Sequence, residues 1–501
     1  MGSGSIRAGI GILVIFILAL LYPHRVGAEG PYEGYIYNSL EQAAGSVNGY
    51  LYQDSIDGYG MASGPFKNPQ DLFVAQDDTL YIADSGNNRI VHMTVRKEVL
   101  RVYGDDEGPG LLNNPRGMFV AEDGTLYVAD TGNNRIALFS GSGQFERDFP
   151  VPDTTLLGEG FSYHPIKLAV DKRGYMIVVS EGFSQGLIQL TPDGEFAGFF
   201  GANHLPFSLS RLLVNVLTTE EQKASIARER PPEFSNLYQD KKGFIYTTSL
   251  GIPYNQVKRL SAVGVDTLNN ASDGKESGWF GGDSKVRYGD LRMRKENYIS
   301  QYDAFHDVTV SDDGMITALD RTTGKAYQYN SEGDLLFIFG GLGSQNGLFQ
   351  SPVSIAETSD GMIYIADSAR SRIDRFYPTP FSRKVHEATS LYTAGHYEQS
   401  MEPWQEVIRL SSNYELAYLN IGKALYKQKK FREAMSYFRL AGSRADYSKA
   451  FLEYRTAWLR DHFLQVVAGL FALYIAWKLA RFKYRLARAG RTGRETEEGV
   501  N

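Results

Sequence analysis

The sequence predicts a mostly β fold: a six-bladed β-propeller, followed by a short α-helical segment and one transmembrane helix. Three observations predict it. The stretch Leu80 to Ile90, LYIADSGNNRI, returns as LYVADTGNNRI at Leu126 to Ile136, placing Asp84 and Asp130, and likewise Arg89 and Arg135, 46 residues apart. A fixed period of that size marks a repeat architecture whose copies are single supersecondary units. The 52 Gly, 32 Tyr and 28 Phe suit short strands, tight turns and aromatic packing between sheets. Finally, the chain turns helical after Pro378 and Pro380, and residues 463–477, FLQVVAGLFALYIAW, contain one polar residue, Gln465.

At the N-terminus, residues 8–22 form an apolar run behind Arg7 and ahead of Val26-Gly27-Ala28. That is a signal-peptide pattern, assigning 1–28 to the signal and leaving Glu29 as the mature start. Residues 29–380 then hold the repeats. One full unit runs from Asn68-Pro69 through Thr79 to Asp84 and Arg89 to Thr94 to Val99 to Gly104, four short strands separated by turn residues. A second opens at Asn114-Pro115, a third at His164-Pro165, a fourth near Ser235, a fifth at His306 and a sixth at Pro352. The sixth lacks a fourth strand, whereas residues 49–54 supply a spare one ahead of the first copy. Pairing the two closes a ring and removes the exposed edges that β architectures must otherwise protect.

Two insertions break the period. Residues 202–232 have helical apolar spacing at Leu209, Leu212, Leu213 and Val216, and residues 269–304 are rich in Gly, charge and aromatics, including Trp279, Arg287, Tyr288, Arg292, Arg294 and Tyr298. Such insertions fall on loops of one face, often the binding face.

The Asn-Pro opening and the Leu-Tyr-Ile/Val-Ala-Asp-Ser/Thr-Gly-Asn-Asn-Arg-Ile core resemble the NHL family. The resemblance implies a propeller and spans several activities: RNA binding, extracellular sensing, and lyase or lactonase-like catalysis. Function therefore has to be argued from the site. The motif residues Asp84, Arg89, Asp130, Arg135, Asp367 and Arg372 recur from copy to copy. They are expected to be structural, the Asp accepting turn N–H groups and the Arg pairing across blades. The polar residues that vary at the blade starts are the candidate ligand site at a channel mouth: Gln70, Arg116, His164, Lys167, His306, Asp307 and Ser354. His164 and His306 resemble the axial zinc histidines of the peptidyl-hydroxyglycine lyase relatives, for which zinc or calcium is the expected metal. The binding reading requires no cofactor, and no nucleophile motif or phosphate loop is present.

Residues 381–460 carry a second period. Ala388 and Gly422, Leu391 and Leu425, Tyr397 and Phe431, and Trp404 and Phe438 are each 34 residues apart. This resembles the tetratricopeptide repeat (TPR), a peptide-binding groove or a rigid spacer. Residues 461–480 are the expected span and 481–501 a basic cytoplasmic tail. Seven Lys and Arg between 478 and 494 face no acid, which places that side in the cytoplasm and the main body outside it. The formal charge of −6 then leaves −12 on residues 29–477, which opposes nucleic-acid binding. With no Cys, disulfides, thiolate metal sites and Cys nucleophiles are excluded.

These features point to a membrane-anchored extracytoplasmic scaffold of a bacterial cell surface. It would bind a protein, peptide or glycan, as a sensor or as an accessory component of a surface complex. A metal-dependent propeller enzyme resembling lyases or gluconolactonase-like lactonases is the alternative.

Overall fold

A computed structural model describes residues 30–495 apart from 106, 159–160, 202–231, 270–285, 291–293, 297–298 and 302–303. The expected signal peptide and the helical insertion lie outside the described residues, as do Trp279, Arg292 and Tyr298 of the second insertion.

Six antiparallel sheets surround one axis. The innermost strands are Pro69–Val74, Pro115–Val120, Pro165–Val170, Phe234–Gln239, Phe305–Val310 and Pro352–Glu357. Each packs against the next, and the last returns to the first. Blades 1, 2, 3 and 5 contain four strands in chain order. In blade 6 the strand Tyr50–Ile56 lies outermost and pairs antiparallel with Arg372–Pro378, Tyr52 opposite Phe376 and Ile56 opposite Ile373. The spare N-terminal strand thus closes the ring. Blade 4 departs from the expected four strands: Phe234–Gln239, Ile245–Ser249 and Val257–Leu260 are its only strands among the described residues. Tyr288 packs beside them, buried, with its hydroxyl donating to Asn269 Oδ1 at 2.9 Å and its ring edge-on to Tyr329. It is a core residue there, not part of an exposed binding loop.

All six inner strands share one irregularity. The register slips between the first and third residues, from Pro69 to Asp71 in blade 1 and from Pro352 to Ser354 in blade 6. A bulge inserts one residue and re-aims its neighbours, so the third residue of each strand turns to the axis.

The helices follow without a linker. They are α1 (Pro380–Thr393), α2 (Tyr397–Leu410), α3 (Glu415–Lys427), α4 (Phe431–Leu440), α5 (Arg444–Asp461) and α6 (Phe463–Glu495). Thr379 caps α1 by accepting from the Ser382 N–H, and its own N–H donates to Gly49 O on the closing strand's approach. Helices and propeller share one core: Trp404, Tyr414 and Phe381 pack with Phe337 of blade 5 and Tyr50 of the closing strand. A Cβ on Gly422 would fall 2.7 Å from the Phe438 ring, which is why a glycine holds that small-residue site. Among the described residues, Phe463–Arg485 is the one stretch of helix long and apolar enough to cross a membrane, and none of it is buried.

Candidate functional site

The repeated motif builds the rim of each blade. Asp84 Oδ1 accepts from the Lys67 N–H at 2.6 Å, and Oδ2 accepts from Asn87 Nδ2 and Arg89 Nε, both at 2.8 Å. Asp130 repeats this with the Asn113 N–H, Asn133 and Arg135. Arg89 and Arg135 therefore pair within their own blades. The link between blades is carried by other residues: Asn88 Oδ1 accepts from the Asn114 N–H at 2.8 Å, and Thr131 Oγ1 donates to Pro165 O at 2.6 Å. In blade 6, Asp367 accepts from the Gln350 and Ser351 N–H groups, but Arg372 pairs with Asp374 at 2.9 Å, not with Asp367. The shared spacing of Asp367 and Arg372 is not matched by a shared contact.

Inside the rim, the bulges deliver Asp71, Gly117, Lys167, Asn236, Asp307 and Ser354 to a single ring, one from each blade and all buried. Lys167 Nζ reaches Asp71 Oδ1 at 2.5 Å and Oδ2 at 2.6 Å. Asp71 also accepts from the Met118 N–H at 2.9 Å. Ser354 Oγ lies 2.6 Å from Asp307 Oδ2 and 3.1 Å from Asp71 Oδ1, joining the two carboxylates. Burial pushes the Asp307 carboxyl up to about 6 despite the nearby Lys167 charge, and pushes Asp71 up as well. Two buried acids around one ammonium form a satisfied polar plug, with the properties of a brace across the axis.

On the far side of this plug lies a cavity of about 1180 Å³. It is lined by the turns between the first and second strands of every blade and by the ends of the inner strands. Ten carboxylates and two lysines face it. One lysine, Lys241, is held by Asp312 at 2.6 Å. Phe73, Phe119 and Tyr238, from blades 1, 2 and 4, also line it, with the Phe73 and Phe119 rings edge-on at 5.7 Å. Glu357 ends the inner strand of blade 6, and its Oε2 is buried with no hydrogen-bond partner among the described residues. Burial, with Asp313, Asp312 and Asp360 around it, raises its carboxyl to about 8.

Residues 112–139 match the model of the NHL repeat, and residues 389–429 match the TPR repeat model TPR_11. The chain carries NHL and TPR repeats. No curated protein matches it by sequence. Among solved structures, a streptogramin B lyase is similar in fold at 13% identity and a TM-score of 0.41, over 66% of this chain and 98% of that one. The virginiamycin B lyase of Staphylococcus aureus gives 11% identity and 0.39 over 66% and 100%. The extracellular domain of a one-component system from B. thetaiotaomicron gives 13% and 0.37 over 70% and 38%.

Across the blades, six of the seven residues singled out at the blade starts divide into two groups, and His164 precedes its strand. Lys167, Asp307 and Ser354 belong to the buried ring and do not reach a mouth. Gln70, Arg116 and His306 occupy the bulge position itself, at the mouth opposite the cavity, and are half-buried. Gln70 donates to Asn68 Oδ1 at 2.7 Å and Arg116 pairs with Glu181 at 2.8 Å. His164 and His306 do not fit a metal-ligand set. His164 Nε2 lies 2.8 Å from Ser162 Oγ, and in its better orientation the Asn134 amide donates to Nδ1 at 2.8 Å. His306 Nε2 lies 3.5 Å from the Arg321 guanidinium, and burial with the Arg321 and Arg116 charges holds its pKa below the usual imidazole range. Cationic neighbours of this kind repel a metal ion. No group of three His, Asp or Glu side chains able to hold a metal occurs among the described residues. Asp71 and Glu357 are the residues that reading by motif passes over. Both become visible when the six inner strands are aligned: Asp71 shares a column with Lys167, and Glu357 stands where four blades carry Val74, Val120, Val170 and Val310.

Proposed function

We propose that the protein is a membrane-anchored binding scaffold. Its propeller and TPR-like helices stand outside the cytoplasm, α6 spans the bilayer, and the basic tail remains inside. The observation that carries the reading is the large cavity, which is lined by the turns between first and second strands and by His386 of α1, and not by the repeated Asp-Asn-Arg motif. A site next to the propeller–helix junction can pass the presence of a ligand to the helices through their shared core, and from there to α6. The seven-charge basic stretch in the C-terminal half of α6, residues 478–494, supports the orientation.

The test uses the full chain. Protease added to intact cells is expected to remove the propeller and leave a C-terminal fragment; full protection of the propeller overturns the orientation. A ligand found by thermal-shift screening should be recovered unchanged after incubation, and its shift should vanish in Asp313→Lys. Conversion of that ligand into product would instead favour the lyase or lactonase reading.

A further inference from the structure

The turns between first and second strands place an acid in every blade, and most of these acids have a local reason to be there. Asp77 accepts from the Thr79 N–H at 3.1 Å, Asp123 from Thr125 at 2.9 Å, and Asp240 from Lys242 and Phe244 at 3.0 and 2.8 Å. Asp is common in turns for this purpose. Glu357 has no such reason. It ends a strand, at the place of a Val that is buried in blades 2, 3 and 5 and half-buried in blade 1, and its Oε2 finds no partner among the described residues. Leaving a carboxylate oxygen buried and unbonded is unfavourable, an arrangement expected where a ligand supplies the missing donor. Three aromatic rings lie one residue deeper along the inner strands, at Phe73, Phe119 and Tyr238. A carboxylate and three aromatic rings lining one strongly negative cavity are the combination that recognises a cation with an apolar stem.

We propose that this cavity takes an organic cation, an ammonium or guanidinium group on an aliphatic chain, with Glu357 as its counter-charge and Phe73, Phe119 and Tyr238 against its stem. The inference rests on the binding reading above and names its ligand class. The cation can arrive as a free amine or as a basic side chain of a peptide; the chemistry at Glu357 is the same.

Calorimetric titration of the full chain in detergent micelles tests it, with cadaverine and tetralysine as probes and 1,5-pentanediol and tetraglutamate as controls. Saturable 1:1 binding of at least one cationic probe is expected, weakened by salt and weakened roughly tenfold or more in Glu357→Gln. Arg409→Ala, exposed on α2 and outside the cavity lining, should bind as the parent does. Cadaverine binding as tightly as tetralysine identifies the free amine; binding of tetralysine alone identifies a basic segment. Either supports the proposal. Should Glu357→Gln misfold, Phe119→Leu serves in its place, with the same expected loss. Absence of binding by both cations, or unchanged affinity in the folded variant, overturns the proposal. Binding of the diol or of tetraglutamate that is lost in Phe119→Leu also overturns it while leaving the scaffold reading intact.

Discussion

Lys167 of the third blade and Asp71 of the first form a buried ion pair across the propeller axis, at 2.5 Å. With Asp307 close by, this single ammonium offsets two carboxylates that share Ser354. Removing one partner of a buried pair leaves an uncompensated charge, so Lys167→Met is expected to cost about 3–5 kcal/mol. Adding Asp71→Asn should recover part of that loss. A double-mutant cycle by urea unfolding checks it: strictly additive costs would mean that the pair does not brace the ring.

Gly117 occupies the ring position of blade 2 for a steric reason. A Cβ there would lie 2.2 Å from the Ile166 carbonyl oxygen and 2.9 Å from Lys167 Cα, both backbone atoms of the next inner strand. Neither can rotate away. Gly117→Ala is expected to destabilise by roughly 1–3 kcal/mol, the cost of overpacking a filled interior. Gly45→Ala, whose Cβ would meet nothing within 4 Å, is the control and should melt as the parent does.

The blade period was legible in the sequence because Asp84, Asp130 and Asp367 do the same job in their blades, accepting the N–H groups of the chain that enters the inner strand. The closing strand was legible because a sheet one strand short has to find an edge partner. The axial ring was not. Strict alternation along a strand does not foresee a bulge, and the bulge is what separates Lys167, Asp307 and Ser354, which turn inward, from Gln70, Arg116 and His306, which stay at the mouth. The partners of the arginines were also hidden. A fixed spacing fixes which residues are near, but Arg372 pairs with Asp374, two residues along its own strand, although Asp367 stands opposite it on the neighbouring strand.

Asn88 combines two tasks. Its φ of 56° lies in the left-handed region, and its side chain accepts the Asn114 N–H from the next blade. Ser371 repeats both in blade 6, with φ 53° and its Oγ accepting the Asn68 N–H at 3.1 Å. Asn88→Gly keeps the backbone free and loses the bond, for an expected cost of about 1 kcal/mol. Asn88→Ala adds the left-handed strain of about 1–2 kcal/mol. The ordering parent, Gly, Ala in chemical denaturation is the check; equal losses in the two variants would assign the whole effect to the hydrogen bond.

Glu357 gives the protein a pH dependence with a definite sign. Its carboxyl is raised to about 8 by burial and by Asp313, Asp312 and Asp360, and Tyr50 and Tyr238 also lie within its electrostatic reach. The unfolded chain releases this proton near the ordinary value of 4.5, whereas the folded chain keeps it to about 8. Between these values the folded state binds more protons, so its stability falls as pH rises, by up to about 1.4 kcal/mol per pH unit. Glu357→Gln, neutral throughout, should lose this slope, and the stability difference between variant and parent should grow in the variant's favour from pH 5 to pH 8. A bound cation reverses the balance by favouring the ionised carboxylate. Cadaverine binding at pH 7 is then expected to release a proton, read as an enthalpy that changes with the ionisation heat of the buffer. A parent and variant with parallel stability profiles over this range would show that Glu357 is ionised in the empty cavity.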